Sequence, residues 1–160
     1  MYKIGDKVVH LSHGVGVISN IEEREFKPGE VKKFYILTIQ DNGAPKKVFV
    51  PFESIERLRS VIPSNEVGKV YDALETKYPI DHQTWNRRYR HYMELIHTGD
   101  VLKIAEVVVS LNSLMKEKDL SFGERKLFDQ SLRLLTEELS LAENLNKDQI
   151  QTKLMLILGE

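Results

Sequence analysis

The chain has 160 residues, of which 41% are hydrophobic and 29% charged, so it reads as a soluble folded protein of one ordinary domain or two small ones. The absence of cysteine excludes disulfides, thiolate metal sites and cysteine nucleophiles. With no run of about 18 or more apolar residues and no basic-then-apolar pattern in Met1–Asp6, a cytoplasmic protein without membrane contact is expected.

From the N-terminus to about Leu58, short runs of β-branched and aromatic residues bounded by Gly, Pro and Asn follow a strand rhythm. Strands are expected near Lys7–His10, Val15–Glu23, Val31–Gln40 and Lys46–Pro51, with a short fifth near Ile55–Arg57. Pro28-Gly29 marks one turn, and Asp41-Asn42-Gly43 marks a hairpin because Asn and Gly tolerate positive φ. Residues 1–60 are therefore expected to form a small antiparallel β-barrel of SH3 or Tudor type. Both faces of the third strand are apolar, with Phe34 and Ile36 on one and Tyr35, Leu37 and Ile39 on the other. In the fourth strand Phe49 lies opposite the core-facing pair Val48 and Val50. A small barrel buries one face by itself, which leaves the other for cover by the chain's own helices or by a partner.

Leu58–Pro63 reads as a linker, after which the apolar period becomes helical. Ser64 is placed to cap a first helix running to about Glu75, and a second is expected from Thr84 to about His97. Gly99 suits the end of that helix, and Asp100 the start of a third reaching Lys118. Ser121-Phe122-Gly123-Glu124 has the form of a capping box for a fourth helix to about Glu143, and Asn146 caps a fifth. Residues 61–160 thus read as a compact five-helix bundle, making the whole a two-domain β then α chain.

Catalytic constellations are lacking. His10 and His13 have no carboxylate at ligand spacing, Gly14-Val15-Gly16 lacks the third glycine and following helix of a phosphate loop, and adjacent acid pairs such as Glu137-Glu138 splay apart. No enzyme activity, metal or cofactor is expected. The formal net charge of −1 conceals an uneven distribution. Lys77–His91 contains Lys77, Arg87, Arg88 and Arg90 against Asp81 alone, so any DNA contact is a small, salt-dependent patch. Within it stands the only tryptophan. Trp85 reads equally well as the first core residue of a stripe with Tyr89, Tyr92 and Ile96, or as a first-turn aromatic that wedges into a base step while arginines hold phosphates.

The chain resembles the CarD/CdnL family of bacterial RNA polymerase-binding regulators. The resemblance rests on Gly5-Asp6-Lys7-Val8-Val9, His13-Gly14-Val15-Gly16, Val50-Pro51, Thr84-Trp85-Asn86-Arg87-Arg88-Tyr89, Gly99-Asp100-Val101, Ala105-Glu106-Val107 and Leu120-Ser121-Phe122-Gly123-Glu124-Arg125-Lys126. It implies a Tudor-like domain that binds the polymerase β subunit, here around Val48, Phe49, Val50 and Pro51. It also implies a helical domain that meets promoter DNA at the upstream edge of the bubble with little sequence preference. Carried over by position, Trp85 is the minor-groove wedge, with Arg87, Arg88 and Arg90 on phosphates and Arg125 and Lys126 as further basic contacts. Some relatives carry arginine where this chain has Phe49, so a more apolar contact is expected here. The resulting picture is a monomeric regulator that stabilises the open promoter complex. The rival readings are a polymerase adaptor without DNA contact and, more remotely, a hydrolase.

Overall fold

The structure, a computed structural model, describes residues 1–41, 43–79 and 84–159. The chain divides into two compact units, Met1–Val61 and Ile62–Glu160, and each has its own apolar core.

In the first unit, strands β1 (Lys7–His10), β2 (Gly14–Lys27), β3 (Glu30–Asp41), β4 (Ala44–Pro51) and β5 (Leu58–Ser60) form one antiparallel sheet in the order β4-β3-β2-β1-β5. Alternation decides which side chains go inside. Tyr35, Leu37 and Ile39 of β3 join Val8, Ile18, Val50 and Leu58 in the core, while Phe49 stands across from Ile36 and stays 43% exposed. Gly16 has a packing reason: a Cβ there would lie 2.8 Å from Ile39 Cγ1. The glycine therefore lets the core side chains of β3 pack over β2, inside which Gly16 pairs with Val8 in regular register.

Two expectations for this unit need correction. Residues Phe52–Arg57 form a 3₁₀ segment rather than a fifth strand, and the fifth strand is Leu58–Ser60. Ile55 is exposed, whereas Leu58 is buried and pairs with His10, so burial selects Leu58 for the sheet and shortens the supposed linker. The 3₁₀ segment carries the chain from the β4 edge to the β1 edge. Among the described residues β4 and β5 do not pair, which leaves the sheet open where a closed barrel was expected. The centre of the expected Asp41-Asn42-Gly43 turn, Asn42, lies outside the described residues, although β3 and β4 pair as far as Asp41 and Ala44.

The second unit contains α1 (Val67–Glu75), α2 (Trp85–His97), α3 (Val101–Glu117), α4 (Phe122–Glu143) and α5 (Lys147–Leu158). The Ile62 N–H donates to the Glu138 carboxylate at 3.0 Å and fixes the entry of the chain. Ser64 begins a 3₁₀ turn and makes no side-chain cap, so the expected helix starts three residues later. The other caps form. Asp100 accepts from the Leu102 N–H, and Ser121 with Glu124 and Asn146 with Gln149 make reciprocal capping boxes on α4 and α5. Helix α3 packs against α1, α2 and α4 and is apolar almost all round, with Ala105, Val108 and Leu111 fully buried. None of the described helices is long and apolar enough to cross a membrane.

Candidate functional site

The start of α2 meets the start of α4. Trp85 is the first residue of α2, and its indole Nε1–H donates to Ser121 Oγ at 2.6 Å. Its ring stacks on Tyr89, one turn along the same helix, with centroids 5.2 Å apart and planes 19° from parallel. Across the interface, Gly123 provides the clearance: a Cβ there would lie 3.0 Å from Trp85 Cζ2. Trp85 is nevertheless 41% exposed, so the indole is neither a core residue nor a freely rotating one. It is a half-exposed aromatic plate held by its edge and one face.

The Ser121 hydroxyl that receives the indole also accepts from the Glu124 N–H at 3.2 Å and donates to Glu124 Oε1 at 3.0 Å. The other carboxylate oxygen of Glu124 accepts from Nε and an Nη of Arg88 at 3.2 and 3.1 Å. Both partners are inside, with Arg88 5% and Glu124 1% exposed. This chain of bonds corrects one expected site residue. Arg88 was expected on phosphates, but its guanidinium is buried against Glu124, because position 88 is three residues after Trp85 and four before the buried Tyr92 and thus faces inward. A buried, neutralised guanidinium cannot reach an external phosphate without breaking an ion pair out of solvent.

Arg87 and Arg90, on the outer side of α2, are exposed. So are Arg125 and Lys126 in the second half of the first two turns of α4; the Arg125 guanidinium lies 3.7 Å from the Asp129 carboxylate with 57% of its side chain exposed. Phe122, which opens α4 between Ser121 and Gly123, is 86% exposed. Sequence reasoning placed Ser121 and Glu124 correctly as a capping box, yet missed them as the seat of Trp85 and the partner of Arg88. The only available signal was that a capping box uses one oxygen of Glu124 and leaves the other free. The segment leading into Trp85, residues 80–83, lies outside the described residues.

In the β unit, Val48 and Pro51 are half-buried, Val50 is buried in the core, and Phe49 faces outward beneath the Arg24 guanidinium at 4.7 Å from its ring centroid. Strand β4 is an edge of the sheet, with β3 as its only pairing neighbour among the described residues. His10 and His13 stack with ring centroids 4.7 Å apart, and no group of three His, Asp or Glu among the described residues is placed to hold a metal ion.

Comparison with known proteins places both units. Residues 2–62 match the CarD-like/TRCF RID domain, and residues 69–155 match the C-terminal domain of CarD. A similar protein of Bacillus subtilis (strain 168), named "Putative transcription factor YdeB", is 31% identical over 162 residues, covering 95% of this chain and 99% of that one. Since the two matches fall in order on the two compact units and the relative aligns over nearly its whole length, the chain belongs to the CarD-like family.

Proposed function

We propose that this protein is a transcription regulator that binds the RNA polymerase β subunit through residues 1–60, by way of Val48, Phe49, Val50 and Pro51 on a Tudor-like sheet. Through residues 61–160 it contacts promoter DNA at the upstream edge of the bubble. The observation that carries this reading is the Trp85 plate: a half-exposed indole with a fixed orientation where the first turn of α2 meets that of α4, the two helices whose opening turns also carry the exposed cations Arg87, Arg90, Arg125 and Lys126. An aromatic held in advance costs little entropy when it stacks on a base step, and cations on the same two helices supply phosphate contacts. Arg88 acts differently from its neighbours, by holding Glu124 and so the seat of Trp85.

Four cations give weak affinity on their own. Tethering to polymerase raises the effective concentration of the helical unit at the promoter, so weak contacts suffice. The open complex is favoured only to the extent that Trp85 interacts better with the parted bubble edge than with closed duplex. The decisive experiment is a promoter-opening assay with purified polymerase, comparing wild type with Trp85→Ala. The reading requires a shorter open-complex lifetime for the variant at equal polymerase binding. An unchanged lifetime with a folded variant leaves the adaptor without DNA contact.

A further inference from the structure

Helix α5 packs on α1 and α4 and buries Ile150, Leu154 and Leu158, of which Leu158 is the most exposed at 3%. The three stand four residues apart, so a shift of α5 along its axis by about one turn sets one large aliphatic side chain where the next one stood. Their burial decides which face of α5 turns inward and discriminates weakly between neighbouring axial positions. Among the described residues two polar side-chain ties cross to this helix. Lys153 Nζ donates to Glu143 Oε1 at 2.9 Å, but 47% of the Lys153 side chain is exposed, so water competes for it and its flexible stem can follow a shifted helix. The other tie is buried. Asn112 of α3, 4% exposed, donates from Nδ2 at 3.0 Å to the carbonyl of Leu158, the last residue of α5. A carbonyl in the last turn has no helical N–H of its own to accept. Asn112 Oδ1 is buried too, and no donor among the described residues reaches it.

We propose that Asn112 is a positioning residue, which fixes where along its axis the end of α5 sits and lowers stability in doing so. An amide that makes one hydrogen bond and leaves a second group buried without a partner stabilises little: leucine, of the same branched shape, would remove both polar groups and bury more apolar surface. What the amide supplies is a difference between positions. With the end of α5 in place, Nδ2 meets the free carbonyl of Leu158. One turn away in one direction it faces carbonyls already engaged by helical N–H groups, and one turn away in the other it faces past the helix end. In both cases the buried donor loses its partner while the apolar stripe stays covered, so the amide selects the native position by what it leaves unpaired elsewhere. A single buried asparagine sets register between the helices of coiled coils by the same asymmetry. The start of α5 is tied to its neighbour, since Asn146 caps it three residues after α4 ends; at the far end the buried polar tie is Asn112.

The test uses the full chain carrying Asn112→Leu, followed by thermal melting and by NMR with amide hydrogen exchange resolved along α5. The variant should melt at or above the wild-type temperature. Its α5 amides should nevertheless exchange about tenfold or more faster relative to those of α3, or give more than one set of resonances, as loss of one buried hydrogen bond does when it is read as local opening. Asn112→Ala removes the amide without adding volume, so it keeps the test open if leucine overpacks the site; it should melt lower and show the same loosening of α5 relative to α3. Lys153→Met removes the exposed tie and should leave a single set of α5 resonances. Unchanged α5 exchange relative to α3 in both Asn112 variants, at whatever stability, overturns the proposal and makes Asn112 an ordinary packing contact. A second set of α5 resonances in Lys153→Met, with a single set in both Asn112 variants, overturns it as well, because the exposed tie then does the selecting.

Discussion

At Ser121 a single hydroxyl accepts from the Trp85 indole and from the Glu124 N–H while donating to the Glu124 carboxylate, so one atom joins a helix cap to the candidate DNA contact. Ser121→Ala should cost about 1–2 kcal/mol, the usual range for loss of an N-cap. It should also red-shift the emission of Trp85, which is the only tryptophan and so reports on its own environment. Chemical denaturation followed by fluorescence measures both. Glu124→Gln is expected to be worse, at about 3–5 kcal/mol, because it leaves the buried Arg88 cation uncompensated. Trp85→Ala itself should fall between the core and surface extremes, at about 1–3 kcal/mol, since it loses one aromatic stack and one hydrogen bond but little enclosed volume. The spacing of Arg88 to Tyr92 is compatible with an inward direction, but an unpaired arginine would not be buried. Its anionic partner was not legible in the sequence, because Glu124 lies 36 residues away and only the packing of α2 on α4 brings the two together.

At the scale of elements, the meeting of α2 and α4 depends on a glycine in the first turn of α4. Gly123→Ala sets two effects against each other. Alanine gains about 1 kcal/mol in helix propensity, while its Cβ would press on Trp85 Cζ2 at 3.0 Å, a contact the indole can relieve by shifting a few tenths of an ångström. The expected outcome is unchanged stability with an altered Trp85 emission and a shorter open-complex lifetime; a marked loss of stability would mean that the indole is more tightly confined than its exposure implies. Caps were the most legible features of the helices, because Asp100, Ser121 and Asn146 bond within their own turns. The fifth strand was the least legible. Ile55-Glu56-Arg57 and Leu58-Arg59-Ser60 both carry one large apolar residue, and only the approach of β1 decides which is buried.

For the whole molecule, two units with separate cores should respond separately to acid. His10 has a folded pKa of about 4 against an ordinary value of 6.5, so between those values the unfolded chain binds more protons than the folded one. The His10 contribution to stability of the β unit is complete above about pH 6.5 and is lost as pH falls toward 4. Melting of a fragment of residues 1–61 across that range should show the loss, and His10→Gln should flatten it. DNA binding by the isolated chain should be weak and fall steeply with salt, with a slope set by the few exposed cations. Strong binding to one sequence without polymerase would contradict the tethered arrangement.

The sequence by itself determined the order of strands and helices, the change of period near residue 60, most helix caps and the residue types of both candidate surfaces. These depend on neighbours within a few positions, where alternation, helical spacing and turn chemistry act directly. Tertiary structure decided the open sheet, the choice of Leu58 over Ile55, the withdrawal of Arg88 from the outer face and the seat of Trp85 on Ser121. The last three depend on partners more than 30 residues away, whose approach is set by packing of the whole core rather than by any local preference.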